Sequence, residues 1–177
     1  MIANTQLGAV LGEYLRNRLG QELLAQGHRL TGELISSLEY KIQTTANGLT
    51  LDFFASEYGT YLNTGVPASR IPYTPGRRGG GGGTSAYIQG LIRYTQRRMG
   101  LRGKEAVSAA FAIARKHKRE GMPTRASFRF SSNNRRTGWV DIILEQDEQK
   151  INDIVQDWVG RELELLVSNF IAQKKAA

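Results

Sequence analysis

Between Leu38 and Ala55 the chain changes its hydrophobic rhythm, and that change limits the available folds more than any other feature. Leu38, Tyr40, Ile42 and Thr44 alternate with Glu39, Lys41, Gln43 and Thr45, the two-residue period of a half-buried strand. Asn47-Gly48 follows, and Leu49, Leu51, Phe53 and Ala55 then alternate with Thr50 and Asp52. Asn and Gly tolerate the positive φ of a type I′ turn, whose twist suits two antiparallel strands. A hairpin is therefore predicted within a chain whose other segments mostly carry helical spacing, which makes the fold class α+β.

The helical spacing begins at the N-terminus. Leu7, Val10, Leu11 and Tyr14 fall at i, i+3, i+4 and i+7, and Leu15, Leu19 and Leu23 extend the stripe at steps of four. This predicts an amphipathic helix over 5–26, with Asn4 or Thr5 as its cap and Gly27 as its stop. A helical turn or two is expected over 30–37, and a short helix carrying Tyr58, Tyr61 and Leu62 over 56–63, ended by Gly65 and Pro67. Thr84 or Ser85 can cap the next helix, with Ile88, Leu91, Ile92, Thr95 and Met99 on one side and Arg93 and Arg97 on another. A further helix over 104–120 has the stripe Val107, Ala110, Phe111 and Ala114 and stops at Gly121-Met122-Pro123. Residues 125–131, with Ala126, Phe128 and Phe130 on one side, read as a strand. So do residues 139–145 (Trp-Val-Asp-Ile-Ile-Leu-Glu), which are expected beside the hairpin. The expected sheet is thus small and antiparallel, the hairpin plus this late strand, packed with several helices.

A long C-terminal helix over 148–174 closes the chain, with Ile151, Ile154, Val155, Trp158, Leu165 and Leu166 on its apolar face. Asp147 and Glu148 lie at its positive end, and Lys174 and Lys175 at its negative end. At ~1.5 Å per residue it would be about 40 Å long, more than so small a sheet needs, so part of it is expected on another subunit.

The 177 residues, 40% of them apolar, read as one domain spanning 1–177. An extended loop over 66–83 interrupts it, with Pro67, Pro72, Pro75 and five glycines at 79–83. Such a run loses much backbone entropy on ordering. The loop reads either as a surface linker or as an arm pinned by a neighbouring copy.

Charge is unevenly spread. Residues 67–140 hold 16 Lys/Arg against Glu105 and Glu120, a net of +14. The flanks hold 4 against 6 and 4 against 8, so −2 and −4 within a chain of net +8. Such a balance points to polyanionic partners or to acidic protein faces. The candidate contact residues are Arg70, Arg77, Arg78, Arg93, Arg97, Arg98, Arg102, Arg115, Lys116, Lys118 and Arg119. Arginine dominates lysine in the first seven, which suits bidentate bonds to phosphate or carboxylate. The cluster Arg115-Lys116-His117-Lys118-Arg119 has two readings, a solvated helix end favoured by the dipole or a partner contact that relieves mutual repulsion.

Catalysis has no supporting constellation. Cysteine is absent, and His28 and His117 stand in unrelated contexts, so no metal centre, thiol nucleophile or disulfide is expected. Gly76-Arg77-Arg78-Gly79-Gly80-Gly81 lacks the Gly-Lys-Ser/Thr that a phosphate loop needs. No cofactor is expected. Asp52, Glu57 and Asp141 are the carboxylates nearest the expected sheet, and surface roles suit them better than acid–base work. No apolar stretch approaches the ~20 residues of a membrane span. Residues 1–12 carry no Lys or Arg, so no signal peptide is read.

The order of elements, with Glu57-Tyr58-Gly59-Thr60-Tyr61-Leu62-Asn63-Thr64-Gly65 after the hairpin and an alanine-rich helix from Ile113 ending in Glu120-Gly121-Met122-Pro123, resembles the tail-completion or head-to-tail joining (neck) proteins of tailed bacteriophages. That group has related minor tail proteins. The pentaglycine loop and the long last helix depart from the pattern. The resemblance implies a non-enzymatic virion protein, made in the host cytoplasm. It would form a homo-oligomeric ring of six or twelve copies between portal and tail, around the DNA channel. Its partners would be itself, neighbouring neck, portal or tail proteins and, without sequence readout, packaged DNA. The alternative from another class is a sequence-neutral nucleic-acid-binding protein, whose affinity would fall steeply with salt.

Overall fold

The computed structural model describes residues 2–28, 31–45, 48–76 and 84–176. The element order is α1 (Ile2–Ala25), α2 (Glu33–Ser36), β1 (Glu39–Thr45), β2 (Gly48–Phe54), α3 (Tyr58–Thr64), α4 (Ala86–Met99), α5 (Gly103–Glu120), α6 (Trp139–Gln146) and α7 (Glu148–Ala176), with 3-10 turns at Ala68–Arg70 and Arg125–Phe130. The fold is α+β, as the change of period requires. The chain divides into two compact units, each discontinuous in sequence: residues 1–22, 34–56 and 139–177, and residues 23–33 and 57–138.

In the first unit, β1 and β2 pair antiparallel with Tyr40 opposite Phe53, Ile42 opposite Leu51 and Thr44 opposite Leu49. These half-buried side chains share one face, and the Tyr40 and Phe53 rings lie 5.9 Å apart. The polar face is tied by the Gln43 amide, which donates to the Asp52 carboxylate. Of the predicted turn, Asn47 lies outside the described residues. The stripe Leu7, Leu11, Leu15 and Leu19 of α1 is buried. Gly8 and Gly12 let that helix approach β1: a Cβ at Gly8 would lie 2.7 Å from Ile42 Cγ2, and one at Gly12 would collide with the Tyr40 ring. Val10, assigned to the stripe from spacing, is instead 54% exposed. Asn4 and Thr5 lie inside α1, which begins at Ile2, and not ahead of it.

Two expected strands are not strands. Residues 139–145 fold as α6, with Trp139, Ile142 and Ile143 buried at i, i+3 and i+4 while Leu144 is exposed. A short β-branched run has the same apolar content in either state. On the helix Asp141 and Glu145 are both exposed, away from the buried triplet. Among the described residues the sheet therefore has two strands and no late third one. Arg125–Phe130 is a 3-10 turn, in which Phe130 is exposed and Phe128 half-buried. Ser127 and Ser131 donate to the carbonyls of Thr124 (2.6 Å) and Phe128 (2.8 Å). Such local bonds compete with a strand ladder.

The join between α6 and α7 is held from α1. Asp147, 8% exposed, accepts from the Tyr14 hydroxyl at 2.8 Å and takes the Arg18 guanidinium through both oxygens. Those donors, Arg18 foremost, hold its carboxyl below the usual range.

In the second unit the C-terminus of α1 closes in a Schellman motif. The amides of His28 and Gly27 donate to the carbonyls of Leu23 and Leu24, each at 2.9 Å, with Gly27 at φ +76°. Gly27 thus stops the helix as predicted. A two-residue bridge between Val66 and Met122 (2.7 and 2.8 Å) ties the end of α3 to the end of α5. The tightest packing is between α4 and α5. Ser85 caps α4 through its hydroxyl, which accepts from the Ile88 amide. Ala106, Ala110 and Ala114 are fully buried on α5, and the Thr95 hydroxyl donates to the Ala106 carbonyl at 3.1 Å. The buried stripe of α5 is thus the i, i+4 alanine row. Val107 is 38% exposed and Phe111 only half-buried, stacking near Tyr73.

Candidate functional site

The two units carry opposite charge. Counted over the sequence, the unit of residues 23–33 and 57–138 holds 17 Lys/Arg against 4 Asp/Glu, a net of +13. The other holds 7 against 12, a net of −5. The fold gathers the two acidic flanks of the sequence, because residues 139–177 join the hairpin and most of α1 in one acidic body.

Part of the basic unit's surface is built on α4. Helical spacing sets Arg93 and Arg97 one turn apart on one face, and Arg98 beside them is also exposed. Arg102 stands just ahead of α5, and Arg70 ends the 3-10 turn over 68–70; both are exposed. None of the guanidinium groups of Arg70, Arg93, Arg97, Arg98, Arg102 and Arg115 makes an ion pair or side-chain hydrogen bond among the described residues. The same two helices also expose apolar side chains: Met99 at 54%, Val107 at 38% and Tyr94 at 36%. Arg77 and Arg78, with the five glycines, lie outside the described residues.

The basic run at the end of α5 is less available than its sequence implies. Lys116 and Arg119 both pair with Glu120, at 3.5 and 3.0 Å, and Arg119 is the main reason the Glu120 carboxyl sits below its ordinary range. The Lys118 ammonium donates to the Ile71 carbonyl at 3.1 Å. Burial lowers the pKa of His117, and its Nδ1 lies 2.8 Å from the Tyr87 hydroxyl, whose own pKa burial pushes up to about 12. Arg115 alone of the run has its charge unengaged among the described residues. An open pocket of about 430 Å³ lies beside this end, lined by Arg119, Glu120, Pro123, Arg125 and Phe128.

Sequence reading missed one polar knot. Arg136, placed in a solvated basic loop by its neighbours, is half-buried. Its Nη1 donates to the Gln26 carbonyl at 2.5 Å, and its Nε is buried without a hydrogen-bond partner among the described residues. Burial lowers its pKa. His28 Nε2 donates to the Arg136 carbonyl at 3.2 Å; burial first, and the Arg136 charge second, lower the imidazole to about 4. A neutral histidine donor is thus locked beside a fixed cation. The adjacent Gly27 stop was the signal that this segment turns inward, but its partner lies over 100 residues away.

Chemically, the surface offers unpaired guanidinium donors to phosphate or carboxylate oxygens. Of the three carboxylates weighed for acid–base work, Asp52 and Asp141 belong to the acidic unit and Glu57 to the basic one. Among the described residues no group of three or more His, Asp or Glu could hold a metal ion, and no helix is long and apolar enough to cross a membrane. Compared with protein-family models, curated proteins and solved structures, the chain matches none.

Proposed function

We propose that this chain is a non-enzymatic structural subunit that works by binding further copies of itself, in a ring at the head-to-tail junction of a tailed phage virion. The observation that carries this reading is the partition of charge into a +13 unit and a −5 unit. A subunit with one strongly basic and one acidic body meets its neighbour favourably in a head-to-tail arrangement, which generates rings when the rotation closes. The unpaired arginines of α4 would then face carboxylates of the next copy or phosphates of enclosed DNA. The order of elements around Tyr58–Thr64 and Glu120 supplies the virion context through the family resemblance.

Native mass spectrometry and negative-stain imaging of the purified chain, alone and with portal or tail components, test this. Closed rings are expected. A chain that stays monomeric under every combination overturns the reading. The same unpaired guanidinium groups favour the second reading, sequence-neutral nucleic-acid binding. An anisotropy titration with duplex DNA at two salt concentrations separates the two, because a nucleic-acid-binding protein binds tightly at low salt with a steep salt slope.

A further inference from the structure

The last helix carries an apolar strip that its own unit leaves uncovered. Val159, Leu163, Leu166 and Phe170 follow one another at steps of four, three and four, with Val167 and Ile171 alongside, and each is between 42% and 64% exposed. Single exposed apolar residues are ordinary; a continuous strip along a helix marks a contact surface. Upstream, Ile151, Ile154, Val155 and Trp158 of the same helix are half-buried, so the uncovered part begins where the packed part ends. About 29 residues at 1.5 Å each make α7 roughly 44 Å long, and its distal half is the portion left bare.

The strip has an acidic border. Asp153, Asp157 and Glu164 share one side of α7, and residues 148–171 hold five acidic residues against Lys150 and Arg161, a net of −3. On that side lies Gly160, where an added Cβ would meet nothing within 4 Å. Glycine in an exposed helix interior is about 1 kcal/mol less favourable than alanine. The bare backbone allows an approaching partner to come close. The basic unit has the matching feature in α4: Gly90, also open, is followed at i+3, i+4 and i+7 by Arg93, Tyr94 and Arg97. Exposed Tyr94 on that side and Val107 on neighbouring α5 add apolar surface.

We infer that the apolar, acid-edged face of α7 docks on the α4–α5 face of the basic unit of a second copy, head to tail. This deepens the ring-subunit reading and rests on it. Two-fold pairing of α7 with α7 would set two acidic units together and leave every arginine of α4 without a counter-charge. Head-to-tail docking sets the acidic edge of α7 against the arginines of α4, and the apolar strip against exposed Tyr94 and Val107. It also repeats from copy to copy.

The chain contains no cysteine, so introduced thiols report contacts directly. Full-length Leu166→Cys and Tyr94→Cys variants, both at exposed positions, are mixed and treated with a short bis-maleimide. Covalent dimers containing one of each are expected by mass spectrometry. Leu166→Cys linked only to itself overturns the docking, as does the absence of dimers while oligomers persist. Both outcomes leave the ring-subunit reading standing; a wild-type chain that never associates overturns both. In parallel, Leu166→Asp is expected to keep the wild-type circular dichroism spectrum and to raise the dissociation constant of the oligomer more than tenfold. Asp157→Arg is expected to weaken assembly, and Arg97→Glu in the same chain to restore part of it. Wild-type assembly by Leu166→Asp overturns the docking.

Discussion

His28 shows how far one buried side chain can couple this fold to pH. Its imidazole titrates near 4 in the folded chain against about 6.5 when unfolded. The unfolded state therefore takes up the proton first. The stability this histidine supports is complete above about pH 6.5 and is lost progressively as pH falls toward 4. His117, also lowered by burial, acts in the same direction. Asp147, whose carboxyl is depressed, supports the fold fully above its unfolded value, and that support is lost only at more acid pH. The urea midpoint of the wild-type chain is thus expected to drop between pH 7 and pH 5, and that of His28→Gln to drop less. Equal drops in the two chains would show that the imidazole is not held neutral by the fold.

The α4–α5 pair is the element on which the candidate surface depends. Its close approach relies on side chains no larger than alanine at 106, 110 and 114, with Thr95 bonded across the gap. Substituting Ala110→Leu inserts three heavy atoms where none fit, and overpacking of that kind costs about 1–3 kcal/mol. A chemical-denaturation curve is expected to show that loss, together with weakened assembly if α4 is re-aimed. Unchanged stability would mean that the helices stand further apart than described. The end of α5 is built differently from its sequence impression. Glu120 takes two of the cations and the Ile71 carbonyl a third, so the local repulsion is relieved within the unit. Arg115 and the arginines of α4 remain as the groups that call for an outside anion.

For the molecule as a whole, the separation of charge is the dominant electrostatic fact. A net of +13 and a net of −5 on one chain favour association at low salt, with steering that screening removes over about 8 Å at physiological ionic strength. The oligomer is therefore expected to dissociate as NaCl rises, while an apolar contact alone would hold or strengthen. Light scattering across a salt series distinguishes these. Free duplex DNA is expected to compete with assembly for the same arginines, so oligomer and DNA complex should not form together on one face.

Local chemistry was enough to specify the hairpin, the Gly27 stop, a cap for α4 at Thr84 or Ser85 and the extent of α5. In each case the signal is a period, a cap or a glycine within a few residues of its effect. The same reading placed 139–145 in the sheet, because Ile-Ile-Leu fits a strand and a buried helix equally well. Whether that run lies in a pleat or on a helix depends on what covers it, which is a long-range matter. Arg136 beside His28, Asp147 beneath Tyr14 and Arg18, and the gathering of residues 1–22, 34–56 and 139–177 into one acidic body likewise needed the folded chain. Charge can be counted along a polypeptide, but the field it makes depends on which segments the core brings together.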